Sequence, residues 1–265
     1  MALVALAGMG AGIINTIVGS GTLITFPTLV GLGVPPVTAT MSNAVGLIPG
    51  GLSGTLGYRR ELTGQKRRIL ALVPASFVGA LTGAYLLLHL PEDAFVTIVP
   101  VLLVIALILV VGQPYLQRLL AKRREAAAAQ GRGPAVDDDG TPRLSRGHAL
   151  AAIVGVYVCG VYGGYFAAAQ GILIVGILGV LIPDSLQRLN ATKNVLSTVV
   201  NLVAGATYTI VGFDRIDWTA VALIAAGSLC GGVIGARVGR RLPPLALRSC
   251  IVVLGVIAIV NLVRM

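Results

Sequence analysis

Charge is scarce in this chain. Asp, Glu, Lys and Arg make up 11% of its 265 residues, where soluble domains carry roughly 25%. With 56% hydrophobic residues and a mean hydropathy of +0.91, it reads as an integral membrane protein. No acidic residue falls in the middle of an apolar run. A carboxylate proton relay or carboxylate cation site is therefore hard to build. That argues against a metal or organic-cation carrier and for an anion carrier or uniporter. Histidine is nearly missing too: His89 and His148 lie in loop or flanking positions. An intramembrane serine protease then lacks its base, and Val18 breaks its G-x-S-G spacing. Cys159, Cys230 and Cys250 sit in apolar runs without CxxC spacing, so they read as free thiols rather than metal ligands. The Gly8 to Gly12 run has no strand–helix context or downstream acid for a dinucleotide. Asp137 to Asp139 lacks the glycine and glutamate spacing of an EF-hand. No enzyme activity and no cofactor are expected. The net charge of +10 comes without a mixed basic and aromatic run, so nucleic acid is not a partner. Lys and Arg collect on cytoplasmic loops instead. The N-terminus has no basic region before its apolar run, and no cleaved signal peptide is expected.

What is present is a pair of interrupted apolar stretches. Ala11 to Gly33 carries Asn15, Thr16, Gly19, Ser20, Gly21 and Thr22 at its centre, with Pro27 following. Gly160 to Pro183 repeats the theme about 150 residues on. Irregular backbone at membrane depth is tolerated only when buried in protein or lining a cavity. A matched pair of such segments, one per half, points to a transporter's substrate site.

The halves align. Gly79 to Ala84 followed by Leu90-Pro91 lies over Gly231 to Ala236 followed by Leu242-Pro243, at an offset of 152. Ser42-Asn43-Ala44-Val45 lies over Lys193-Asn194-Val195-Leu196 at 151, and Gly21 to Ile24 over Gly171 to Ile174 at 150. Charge then sets orientation. The loop with Arg59, Arg60, Lys66, Arg67 and Arg68 is basic, while its counterpart Phe213 to Asp217 is acidic. The turn at His89, Glu92 and Asp93 has no Lys or Arg, while its counterpart carries Arg237, Arg240 and Arg241. Corresponding loops fall on opposite sides. Of the 20 Lys and Arg, all but Arg215 and Arg264 then lie on the cytoplasmic side or at that interface.

The expected fold is an all-α polytopic membrane protein of two inverted-topology repeats. Each repeat is an interrupted helical hairpin plus three transmembrane helices. Residues 1–117 form the first, 118–147 a charged, solvated cytoplasmic linker, and 148–265 the second. In the first repeat the spans are Thr38 to Tyr58, Leu70 to Leu90 and Phe95 to Tyr115. In the second they are Asn190 to Val211, Trp218 to Ala236 and Leu245 to Val263. The inversion requires each interrupted element to return to its starting side, and its pieces are at or below the 17 to 25 residues of a full span. Gly79/Gly83 and Gly231/Gly235 are GxxxG pairs, read as helix-packing contacts.

A helix break exposes backbone N–H groups that bind anions. The candidates are Asn15, Gly19, Ser20, Gly21 and Thr22 in the first repeat, and Gln170 and Gly171 in the second. Ser42, Asn43, Lys193 and Asn194 open the following helices. Lys193 either offers a cation to the substrate or snorkels to the interface. Asn43 and Asn194 occupy matching places, and symmetric helix-capping or interhelical hydrogen bonds would explain them without a ligand. Ser197 and Asn201 share the Lys193 helix face. Ser20 and Gln170 should approach each other near the midplane.

Gly19-Ser20-Gly21-Thr22-Leu23-Ile24-Thr25-Phe26-Pro27-Thr28-Leu29, then Ala39-Thr40-Met41-Ser42-Asn43, resembles the first-repeat signature of the TauE/SafE-type sulfite exporters, also called toluene-sulfonate uptake permeases. Tyr165 to Ile174, then Asn190-Ala191-Thr192-Lys193-Asn194, is similar to that family's second copy. The chain departs at Thr22 and at Ala167 to Ala169, where glycines are common. The resemblance spans essentially the whole chain. It implies transport of sulfite, organosulfonates or related small anions across the inner membrane, coupled to an ion gradient. The expected function is a secondary transporter of such sulfur-containing or carboxylate anions, working by alternating access. The rival readings are a passive anion channel and a non-transporting scaffold. The bilayer and a small anion are the expected partners, and a homo-oligomer is left open.

Overall fold

Proline, glycine and serine set most of the helix ends. The computed structural model describes residues 1–129 and 145–238, together with Val253 and Val256. Those residues form helices, with no strand among them. The first interrupted stretch is α1 (Ala2–Ile17) and α2 (Thr22–Gly31). They are split at Gly19, whose φ of +86° suits only glycine. The second is α7 (Arg146–Tyr165) and α8 (Gln170–Leu181). At 10 and 12 residues, α2 and α8 are about 15 and 18 Å long, too short to cross a bilayer. Each chain turns back on itself. A Cβ on Gly21 would lie 2.5 Å from the Ala11 carbonyl, and Gln170 Nε2 donates to the Cys159 carbonyl at 3.1 Å.

The span expected over Thr38 to Tyr58 is two helices, α3 (Pro36–Gly46) and α4 (Ile48–Gly57), broken at Leu47. Pro49 is the reason: it has no N–H to return to the preceding turn, and it disfavours helix at the residue before it. α5 (Lys66–His89) and α6 (Glu92–Ala129) follow. α6 continues past the expected boundary at 117, because residues 118–129 are Ala, Leu, Lys, Arg and Glu, all strong helix formers. α9 (Leu186–Val211), a 3-10 turn (Phe213–Arg215) and α10 (Trp218–Val238) complete the described helices. The rest of the expected linker (130–144), the turn beyond Val238 and the last span, Leu245 to Val263, lie outside the described residues, apart from Val253 and Val256. Five helices among the described residues are long and apolar enough to cross a membrane: α5, α7, α9, α10 and the Thr97–Lys122 part of α6.

The packing is exchanged between the halves. α1 lies along α10, and α5 along α7. Glycines allow both crossings. A Cβ on Gly231 would sit 2.1 Å from the Met9 carbonyl, and one on Gly235 2.9 Å from that of Ile13. At the other crossing Gly79 faces the Tyr157 carbonyl at 2.3 Å and Gly83 that of Val161 at 2.1 Å. Both GxxxG pairs are thus backbone-on-backbone contacts.

A polar network closes the side that carries the basic loop. Gln65, fully buried, donates through Nε2 to the Arg188 carbonyl, and its Oε1 accepts from Arg68 and Thr192. Arg68 also pairs with Asp184 at 2.6 Å, and Arg188 reaches Asp184 at 3.0 Å. Burial pushes the Asp184 carboxyl up. The hydrogen bonds from Arg68, Arg188 and the Ser185 N–H outweigh it and hold the group below the usual carboxylate range. A depressed folded-state value stabilises the fold above the unfolded carboxylate value, near pH 4. That contribution is lost as pH falls through the folded value. Asp184→Asn should therefore cost about 3 kcal/mol at pH 7 by leaving the Arg68 charge without its carboxylate. The melting-point gap from wild type should close in acid, and a gap constant between pH 7 and pH 3 would refute the assignment.

Candidate functional site

The two breaks meet. The Gly171 N–H donates to the Gly19 carbonyl at 2.9 Å. A Cβ on Gly19 would fall 2.4 Å from Gly171 Cα, and one on Gly171 2.5 Å from Gly19 Cα. Glycine at both positions is the condition for the contact, which joins residues 152 apart in the chain.

Lys193 passes this contact. Its Cδ would lie 2.9 Å from a Cβ on Gly19 and 2.6 Å from one on Gly171. The side chain is fully buried, so it does not snorkel to an interface. Its Nζ donates to the carbonyls of Asn15 at 2.7 Å and Thr16 at 3.3 Å. These belong to the last turn of α1, where carbonyls lack helical partners and the helix dipole favours a cation. The sequence reason is the break itself: it ends α1 inside the protein and leaves acceptors to be capped. Among the described residues Lys193 has no carboxylate partner. A buried ammonium without a counterion is costly, a cost that an anion beside it would offset.

Donors surround the start of α2. The N–H groups of Ser20, Gly21 and Thr22 have no hydrogen-bond acceptor among the described residues. Ser20 is fully buried and its Oγ has no partner there either. On α9, Asn194 Nδ2 and Ser197 Oγ are likewise buried and unpartnered. Three backbone N–H groups, one hydroxyl and one nearby ammonium form a donor-rich environment suited to an anion.

Other candidates have different work. Asn15 offers its carbonyl to Lys193, while its Cβ abuts Gly21. Asn43 is satisfied within its own half: it donates to Thr22 Oγ1 at 3.1 Å and accepts from Thr25 Oγ1. Ser42 does not join the cluster; its Oγ accepts from the Asp217 N–H, before α10. Gln170 and Ser20 flank the Gly19–Gly171 contact, yet their side chains share no hydrogen bond. The Gln170 amide turns back to α7 against Gly163. The start of α8 is closed, since the Gln170, Gly171 and Ile172 N–H groups all have backbone acceptors. The expectation of free N–H groups fits the first break and not the second.

The second break is held differently. Ala167 and Ala169 adopt φ of +64° and +58°, at about 1–2 kcal/mol each. The Tyr162 hydroxyl donates to the Ala168 carbonyl, and that of Tyr208 to the Gly164 carbonyl. Beside it Phe166 meets Phe26 edge-on at 5.0 Å, and Phe95 at 6.2 Å. All three rings are 0–1% exposed, so they seal the break on that side. Away from them, the first break borders a cavity of about 170 Å³ shared with α6 and the start of α9. Sequence reading passed over its polar walls, Gln113 and Gln117. Their signal was two amides at i and i+4 inside an apolar helix.

A sequence profile described as "Sulfite exporter TauE/SafE" matches residues 4–262. The probable membrane transporter protein YfcA of Escherichia coli strain K12 is 27% identical over 238 residues, covering 88% of this chain and 77% of its own. A probable membrane transporter protein of Haemophilus influenzae is 24% identical over 254 residues, covering 96% and 91%. The probable membrane transporter protein ORF9 of a Sinorhizobium species is 33% identical over 104 residues, covering 39% and 40%. No solved structure matches the chain.

Proposed function

The chain belongs to the sulfite exporter TauE/SafE family and is a multi-pass membrane transporter, and from that premise we propose that it carries small anions across the inner membrane. The anions are sulfite, organosulfonates or related sulfur-containing or carboxylate species. The observation that carries the reading is the junction of the two breaks. There the Ser20 hydroxyl and the N–H groups that open α2 lie on one side of the Gly19–Gly171 contact without acceptors among the described residues, and the Lys193 side chain passes it with no carboxylate partner among them. An anion contacted there completes the donors and neutralises the lysine.

Alternating access between two inverted-topology repeats is the mechanism. Three observations support it. Corresponding loops carry opposite charge. Corresponding helices exchange partners, α1 with α10 and α5 with α7. The junction is sealed by Phe26, Phe95 and Phe166 on one side and bordered by a cavity on the other. In the mechanism, the tips and their aromatic seal shift against α9 so that Lys193 faces each side in turn.

A true ligand stabilises the native state by mass action. Sulfite, an alkanesulfonate or a small carboxylate should raise the melting point of the purified protein with dose. In liposomes, internal substrate should accelerate uptake of labelled external substrate. A channel shows flux without that acceleration. Absence of both shift and flux across the set removes the anion reading.

A further inference from the structure

The cavity beside the first break sets four amides into a wall otherwise formed by Tyr58 and aliphatic side chains. Gln113 and Gln117 face it from α6, Gln187 and Asn190 from the start of α9, with Tyr58 and Val18 between them. Among the described residues no Lys, Arg, Asp or Glu lines it. Gln113 is 6% exposed, and its Oε1 has no hydrogen-bond partner among the described residues. That oxygen lies beneath the cavity wall; a buried acceptor left unpaired is unfavourable, so an occupant whose donor draws the Gln113 amide round to it is preferred over one without a donor. The cavity also adjoins the lysine. Asn190 Nδ2 donates at 3.2 Å to the Thr16 carbonyl, which also receives Lys193 Nζ.

We propose that this cavity is a selectivity station that favours small oxyanions carrying their own hydrogen-bond donor, read by Gln113 Oε1. The donor is a hydroxyl, an ammonium or a protonated acid oxygen. The neighbouring amide N–H groups take the anionic oxygens. Neutral amides hold an anion without trapping it, so it passes on to Lys193. The inference rests on the anion-transport reading above.

The test compares matched probes in liposomes: 2-hydroxyethanesulfonate against ethanesulfonate, and hydroxyacetate against acetate. Wild type should prefer the hydroxylated member by about tenfold in kcat/KM. Gln113→Leu should bring the ratio near one while uptake of the plain anion persists. Equal handling by wild type, or a preference that survives in Gln113→Leu, overturns the inference and leaves anion transport standing. Failure of wild type to carry any of the four overturns the inference, and failure to carry sulfite as well overturns the transport reading. Should Gln113→Leu not fold, Gln117→Cys serves as the second probe. Its maleimide labelling should be slowed more by 2-hydroxyethanesulfonate than by ethanesulfonate, and equal slowing overturns the proposal.

Discussion

Lys193→Met is expected to yield a folded protein that no longer moves anions. Methionine matches the aliphatic stem that passes Gly19 and Gly171 and removes a fully buried charge. Replacing buried charge by well-packed apolar volume is often neutral or stabilising. The Thr16 carbonyl keeps its bond from Asn190, and only the Asn15 carbonyl loses its cap. The melting point should therefore change little. Flux should fall by about 100-fold or more, the scale of losing a buried charge-paired contact. Lys193→Arg should not rescue it, because the stem has no spare room between the two glycines. Flux within twofold of wild type in Lys193→Met, with protein content matched, would sink the site.

The second large effect is on folding. Gly83→Val places its first new atom 2.1 Å from the Val161 carbonyl and 2.7 Å from the Tyr165 nitrogen. Gly231→Val does the same at the Met9 carbonyl, also at 2.1 Å. Both obstacles are backbone, so no rotamer change relieves them, and the helices must separate. The cost should exceed about 4 kcal/mol, the exceptional range for one substitution. Neither variant should elute as a monodisperse peak from gel filtration in detergent. Gly147→Ala is the control, since nothing lies within 4 Å of its new atom, and it should behave as wild type. Folded Gly83→Val would mean that α5 and α7 do not cross this closely.

The broken stretches and the GxxxG pairs were legible because glycine and polar residues inside an apolar run have few bland explanations. Lys193 was legible as a lone cation, but its choice between substrate contact and snorkelling was not. Burial between two glycines distant in sequence is invisible in one dimension. The break at Pro49 was readable from proline chemistry, yet the apolar run around it masked it. Gln113, Gln117 and Gln65 were missed for one reason. Their partners and cavity are built by α9 and the first break, and no local pattern records such long-range meetings. The asymmetry of the two breaks was half visible: Ala167 to Ala169 stood where glycine is common, but only the backbone angles reveal that two of them adopt a left-handed conformation.

The exchange of helices between halves has a consequence for how the chain is made. α1 ends at Ile17, and α10, along which it packs, begins at Trp218, so α1 leaves the ribosome some 200 residues before its neighbour. Its glycine face cannot dock until nearly the whole polypeptide has been synthesised. Contacts so distant in sequence close late and slowly. The first half therefore waits in the bilayer with the α10 side of α1 undocked and its broken tip unsheltered. The Gly19–Gly171 junction is among the last things to form.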